Sequence, residues 1–158
     1  MSPYKHRVSC VALLDDDPDD HDLFKEAFLG IDPSISVHLL NDEIITRIDK
    51  PFVSPGLLFL DIKMPGIDGF AYLKNLRAAG YWDLPIIMYS TSNHPDQVKK
   101  AYELGADLFF RKPYSFTELR NSLAQIISLD WREPGKIKGL YMRYGLPDAF
   151  ALNTHPRL

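Results

Sequence analysis

A chain of 158 residues, 46% hydrophobic and 25% charged, has the size and make-up of one globular domain with a real core. Its net charge of −3 argues against a general polyanion binder, and its single cysteine, Cys10, excludes an internal disulfide and fits a reducing compartment. The apolar run Val11 to Leu14 is too short for a signal h-region or a membrane span, so a cytoplasmic protein is expected.

Val8 to Leu14 reads as a first strand that ends in an acid-rich turn, Asp15-Asp16-Asp17-Pro18-Asp19-Asp20. Asp17 before Pro18 predicts a helix start, with Asp17 as N-cap and proline at the first helical position. Asp19, Asp20 and Asp22 then suit the positive end of the helix dipole, which accounts for them without any chemistry. Leu23, Phe24, Ala27 and Phe28 recur at helical spacing, and Gly30 to Pro33 breaks the pattern. Ile35, Val37 and Leu39 alternate as a second strand; Asp42 to Ile48 suggests a short helix and Asp49 to Pro55 a loop.

Leu57 to Asp61 is a continuous apolar run into one carboxylate, as expected of a strand buried on both faces of a parallel sheet. A turn containing Pro65 and Gly66 follows, then a third helix from about Phe70 through Leu73 and Leu76 to Gly80. Pro85 to Ser90 is a fourth strand. A fourth helix over His94 to Gly105 carries Val98, Ala101, Tyr102 and Leu104. Asp107 to Arg111 is a fifth strand, stopped by Lys112-Pro113. The fifth helix begins at Ser115, which has capping-box spacing to Glu118, and buries Phe116, Leu119, Leu123, Ile126 and Ile127. Five strands alternating with five helices predict a doubly wound α/β fold: a five-stranded parallel sheet, (βα)5, in three α/β/α layers.

The pattern changes near Trp131. Residues 1–130 hold 13 Lys/Arg against 19 Asp/Glu, a balance of −6, whereas residues 131–158 hold 5 against 2, or +3. The expected division is a domain over 1–130 and a basic, Gly/Pro-containing extension over 131–158, too short for a helix-turn-helix output domain. Its aromatics among Lys136, Lys138 and Arg143 suit packing on its own domain or on a second copy better than binding single-stranded nucleic acid.

In a parallel sheet all strands end on one edge, where open α/β folds bind ligands. Asp15 and Asp16 follow the first strand, Asp61 the third, Ser90 the fourth and Lys112 the fifth. Three crowded carboxylates repel unless a cation holds them, and hard oxygen ligands suit Mg²⁺, with Mn²⁺ as a substitute. A compact ammonium can hold an anion beside that metal. A metal, an ammonium and a hydroxyl around one carboxylate nucleophile is an arrangement suited to phosphoryl transfer. His6, His21, His38, His94 and His155 have no ligand spacing and read as solvated or structural.

Four segments together resemble the receiver domain of bacterial two-component response regulators, over about residues 8–130. They are Leu13-Leu14-Asp15-Asp16-Asp17-Pro18, Asp61 through Gly69, Pro85 through Ser90, and Phe110-Arg111-Lys112-Pro113. The resemblance implies a flavodoxin-like fold and phosphorylation of Asp61 by a sensor histidine kinase or phosphotransfer protein. It implies Mg²⁺ ligation by Asp16, Asp61 and the Lys63 backbone carbonyl, with Asp15 acting through water. Lys112 would pair with the phosphoryl oxygens, Ser90 would turn inward to donate, and Phe109 would repack as the switch aromatic. Phe109 lacks a tyrosine hydroxyl, so its signal would travel by packing alone. Lys63 and Ser92 occupy the positions that tune phosphate lifetime in this family. The expected protein is a single-domain regulator, not a turnover enzyme, that signals to a downstream protein effector. A homodimer could form through the face of the fourth helix, fifth strand and fifth helix, or through the tail; no nucleic acid or membrane partner is expected. Three other readings compete with this one. A haloacid-dehalogenase-like phosphatase or phosphotransferase usually carries a second Asp where Lys63 stands. A phosphorylation-independent adaptor would take no label on Asp61, and a flavodoxin-like FMN binder lacks its phosphate loop.

Overall fold

A computed structural model describes residues 8–40, 56–66, 68–143 and 146–151. Strand β1 (Cys10–Leu14) leads into α1 (Pro18–Ile31), followed by β2 (Ser36–Leu40), β3 (Gly56–Asp61), α2 (Gly69–Ala78), β4 (Ile86–Ser90), α3 (Pro95–Glu103), β5 (Leu108–Arg111) and α4 (Phe116–Ile127). The five strands form one parallel sheet in the order β2-β1-β3-β4-β5. This is the doubly wound architecture that the alternating strand and helix signals predict. The short helix over 42–48 and the loop over 49–55 lie outside the described residues.

Why the sheet holds two layers of helix follows from the period-2 alternation of strand side chains. Val11, Leu13, Leu57, Phe59, Ile87, Tyr89, Leu108 and Phe110 point to one face, where Phe24 and Phe28 of α1 and Leu119, Leu123 and Ile126 of α4 cover them. Ala12, Leu14, Leu58, Leu60, Ile86, Met88 and Phe109 point to the other, covered by Tyr72, Leu73 and Leu76 of α2 and Val98, Ala101 and Tyr102 of α3. Up to their carboxyl ends, where Asp61 and Ser90 stand, the central strands are therefore hydrophobic on both faces, as a sheet buried on both sides requires.

The helix ends obey local chemistry. Asp17 caps α1 by accepting from Asp19 N–H with Pro18 at the first position; Asp68 caps α2 through Phe70 N–H, and Ser115 caps α4 through Glu118 N–H. Two details differ from expectation. Gly30 stays inside α1, which stops only at Asp32, before Pro33. Leu23, expected on the buried face, is 41% exposed, because Phe24, Ala27 and Phe28 already fill the layer over β1 and β3.

The segment after α4 has more structure than its sequence suggested. A short helix, α5 (Pro134–Leu140), and a two-stranded ribbon, β6 (Met142–Arg143) with β7 (Leu146–Pro147), follow Trp131. Trp131, Ile137, Tyr141 and Phe150 are buried in the same cluster as α1 and α4. The Trp131 indole donates to Ile126 O at 2.8 Å, and Lys138 Nζ donates to Tyr102 O at 3.1 Å. Phe150 N–H donates to Phe109 O at 2.7 Å, while the Tyr102 hydroxyl accepts from Phe109 N–H (3.2 Å) and donates to Asp148 O (3.0 Å). The segment thus closes the open edge of β5, the kind of edge that folded proteins cover. Of the two surfaces expected for this extension, its own domain or a second copy, the described residues pack on their own domain.

Candidate functional site

The site is assembled by strand ends. Register pairing of Leu14 with Leu60, Asp61 with Tyr89 and Ser90 with Arg111 brings Asp15, Asp61, Ser90 and Lys112 to the carboxyl edge of the sheet together. Asp15, Asp16 and Asp61 can each offer one carboxylate oxygen within 4.8 Å of the others, and so could hold a metal ion. Asp15 is fully buried and Asp61 nearly so, whereas Asp16 is exposed.

Asp15 already has partners on both oxygens: Oδ1 accepts from Asp17 N–H at 3.0 Å and Oδ2 from Lys112 Nζ at 2.8 Å. That leaves Asp16 and Asp61 as the carboxylates best placed to meet a cation directly. Burial raises the Asp61 pKa to about 7, with the Lys112 charge pulling it down and the Asp15 charge pushing it up. Burial also raises Asp15, opposed by its bonds to Lys112 and Asp17. For Lys112, burial alone would favour the neutral amine, but hydrogen bonds to Asp15 and Asp20 outweigh it and keep the ammonium charged.

Lys112 is the centre of the charge network. Its Nζ is 2.8 Å from Asp15, 2.7 Å from Asp20 and 3.6 Å from the nearer Asp61 oxygen, and it lies 5.0 Å over the Tyr89 ring. Asp20 is the residue that sequence reasoning missed, since its place in the first turn of α1 was explained by the dipole. Its separation from Asp15 and Asp16 offered one usable signal: it comes back toward the strand end one helical turn after the N-cap.

The remaining predicted residues divide. Ser90 is buried at the site edge, its hydroxyl accepting from Ser92 N–H at 3.2 Å, so Ser90 and Ser92 are joined. The Lys63 side chain is exposed, and its backbone N–H bonds the Asp61 carboxylate. Phe109 is fully buried on the α2 and α3 side of the sheet, three residues before Lys112. Gly69 permits the tight return of the chain: its N–H donates to Ile62 O at 2.8 Å, and a Cβ there would fall 2.1 Å from Asp61 O.

A parallel flavodoxin-like sheet with an acidic pocket and a lysine at its carboxyl edge is the architecture of receiver domains. Residues 11–124 match the family model described as the response regulator receiver domain, and the chain belongs to that family. It is 31% identical over 111 residues to the sensory transduction protein BceR of Halalkalibacterium halodurans, covering 69% of this chain and 47% of that protein. Against the response regulator protein GraR of Staphylococcus saprophyticus the identity is 29%, covering 68% and 48%. The chain thus spans about half the length of these two curated relatives. Among solved structures, the chemotaxis response regulator CheY4 of Vibrio cholerae superposes with a TM-score of 0.62 at 22% identity, over 75% of this chain and 98% of that one. That likeness shows the fold alone. Accepting a phosphoryl group from a kinase is the general function of the family, and its members generally bind Mg²⁺ at an acidic pocket. No helix among the described residues is long and apolar enough to cross a membrane.

Proposed function

We propose that this chain is a response regulator that signals through phosphorylation-dependent protein contacts, with Asp61 as the phosphoryl acceptor. The observation that carries this reading is the meeting of Asp61 with Asp15, Asp16 and Lys112 at one strand edge. An Asp61 carboxylate oxygen attacks the phosphorus of a phosphohistidine on a kinase or phosphotransfer protein; the P–O bond forms as the P–N bond breaks, and the histidine nitrogen leaves with the electron pair. Lys112 neutralises the transferred oxygens, and the Ser90 hydroxyl, once released from Ser92 N–H, donates to one of them. Asp16 and Asp61, with the Lys63 carbonyl, would hold Mg²⁺ directly and Asp15 through water. Bound there, the ion would offset the repulsion between carboxylates and phosphoryl oxygens. The donor set fits this, since Asp15 is already engaged by Asp17 and Lys112.

Phe109 is the residue through which a change at Ser90 would reach the α3–β5–α4 face, and Lys63 and Ser92 tune how long the phosphate survives. The chain acts as a substrate that assists its own phosphorylation and is not a turnover enzyme. A cytoplasmic setting accords with the single, buried Cys10. A homodimer through the α3–β5–α4 face would have to include or displace residues 148–150, which already lie along β5.

The test is incubation with Mg²⁺ and acetyl phosphate followed by intact mass measurement. The expected result is the gain of one phosphoryl group in the wild type and none in Asp61→Asn. Gain in both proteins, or in neither, refutes the acceptor assignment.

A further inference from the structure

We propose that Asp20 is a positioning residue that holds the Lys112 ammonium in a resting place and must release it when Asp61 carries a phosphoryl group. The inference rests on Asp61 being the acceptor. Lys112 Nζ makes its two hydrogen bonds to Asp20 (2.7 Å) and Asp15 (2.8 Å), while the Asp61 oxygen, at 3.6 Å, is beyond hydrogen-bond reach. At rest the ammonium therefore directs its hydrogen bonds to Asp15 and Asp20 and meets Asp61 only as a longer ion pair.

Of its two partners, Asp20 is the one built to let go. The Asp15 side chain is fully buried and tied to Asp17 N–H as well, so losing its cation would leave a buried charge. The Asp20 side chain is 23% exposed on the first turn of α1, where water and the helix N-terminus can support it alone. An incoming phosphoryl group adds negative oxygens beyond Asp61, and these compete with Asp20 for the same ammonium. Asp20 thereby opposes phosphorylation twice, by detaining Lys112 and by adding like charge beside the phosphate. Neither effect needs Asp20 to touch the metal, and it is not among the three carboxylates that converge on one point.

Loading by acetyl phosphate, followed by intact mass at saturating Mg²⁺, reads this directly. Asp20→Asn should load Asp61 about fivefold faster than wild type, the scale expected from loss of one partly exposed charge contact. Asp20→Glu, which keeps the carboxylate, should return the rate to near wild type. Asp22→Asn makes the same charge change at an exposed position of the same helix and should leave the rate unchanged. Calorimetric Mg²⁺ affinity of the unphosphorylated protein should shift by less than about twofold in Asp20→Asn, a change a displaced ammonium alone can cause. Equal or slower loading in Asp20→Asn overturns the proposal, as does an equal gain in Asp22→Asn or a Mg²⁺ affinity change as large as the rate change. If the wild type gains no mass, or Asp61→Asn gains as much, the acceptor assignment itself fails; if only the ratio is flat, Asp20 alone is misassigned.

Discussion

Replacing Asp61 by Asn should stabilise the metal-free fold at neutral and alkaline pH, although it removes the proposed nucleophile. Burial and the nearby Asp15 charge raise the Asp61 pKa from 3.8 to about 7, with Lys112 only partly offsetting them. A carboxyl group raised in the folded state favours folding most below its unfolded pKa and loses that advantage as pH rises through about 7. The interval is roughly three pH units at about 1.4 kcal/mol each, so ionised Asp61 costs at most about 4 kcal/mol. Asn carries no such charge, and Lys112 keeps Asp15 and Asp20 as partners. Allowing for relaxation and the lost attraction to Lys112, the net gain should be about 1–3 kcal/mol at pH 8. Urea unfolding in chelator at pH 8 and pH 5 measures it. The gain should fall by more than half at pH 5, where Asp61 is protonated in the folded protein but still mostly ionised in the unfolded chain, about one pH unit above its unfolded value. A difference that is unchanged between the two pH values, or reversed at pH 8, would refute the claim that charge crowding strains this edge.

Saturating Mg²⁺ should raise the melting temperature of wild type, and Asp16→Ala should lose most of that rise; calorimetry against a chelated control checks it. Gly69→Ala should destabilise the protein and slow loading of Asp61, because its Cβ would collide with Asp61 O and push the acceptor loop off α2, which melting curves and phosphorylation rates together detect. Arg77→Met should cost about 3–5 kcal/mol in urea unfolding, since it strands Asp107 in a largely buried place and removes donors to Gly105 O and Leu84 O. Phe150→Ala should cost about 2–4 kcal/mol and expose the tail to limited proteolysis ahead of the main domain.

The strands and the edge of the site were legible because both depend on local pattern. A run such as Leu57 to Leu60, bounded by turn residues, reads as a strand buried on two faces, and a residue that follows such a strand in a parallel sheet lies on the carboxyl edge. That is why the sequence pattern alone groups Asp15, Asp61, Ser90 and Lys112. Asp20 was hidden by a sufficient explanation, for a first-turn aspartate suits the helix dipole whether or not a lysine 92 residues away also holds it. The buried Arg77–Asp107 pair was hidden for a related reason: the partners are 30 residues apart and neither stands in a pattern. The tail fails differently. A seven-residue helix with two glycines has no period to detect, although Pro134 at its first position and the spacing of Ile137 with Tyr141 were local hints.

The tail also changes what the fifth strand offers to a partner. β5 is an edge strand, and without cover the outward N–H and C=O of Phe109 would be unpaired. The Tyr102 hydroxyl accepts from that N–H and donates to Asp148 O, while Phe150 N–H donates to the C=O. The Phe150 ring then sits edge-on to Phe110, which stacks on Tyr89 beneath the Lys112 ammonium. One residue of the tail is thus joined by direct contacts to the strand that ends in the site lysine, outside the 11–124 span that matches the family. A partner seeking the bare edge of β5 meets the protein's own chain there, and must either recognise the strapped surface as it stands or break two hydrogen bonds to reach the strand.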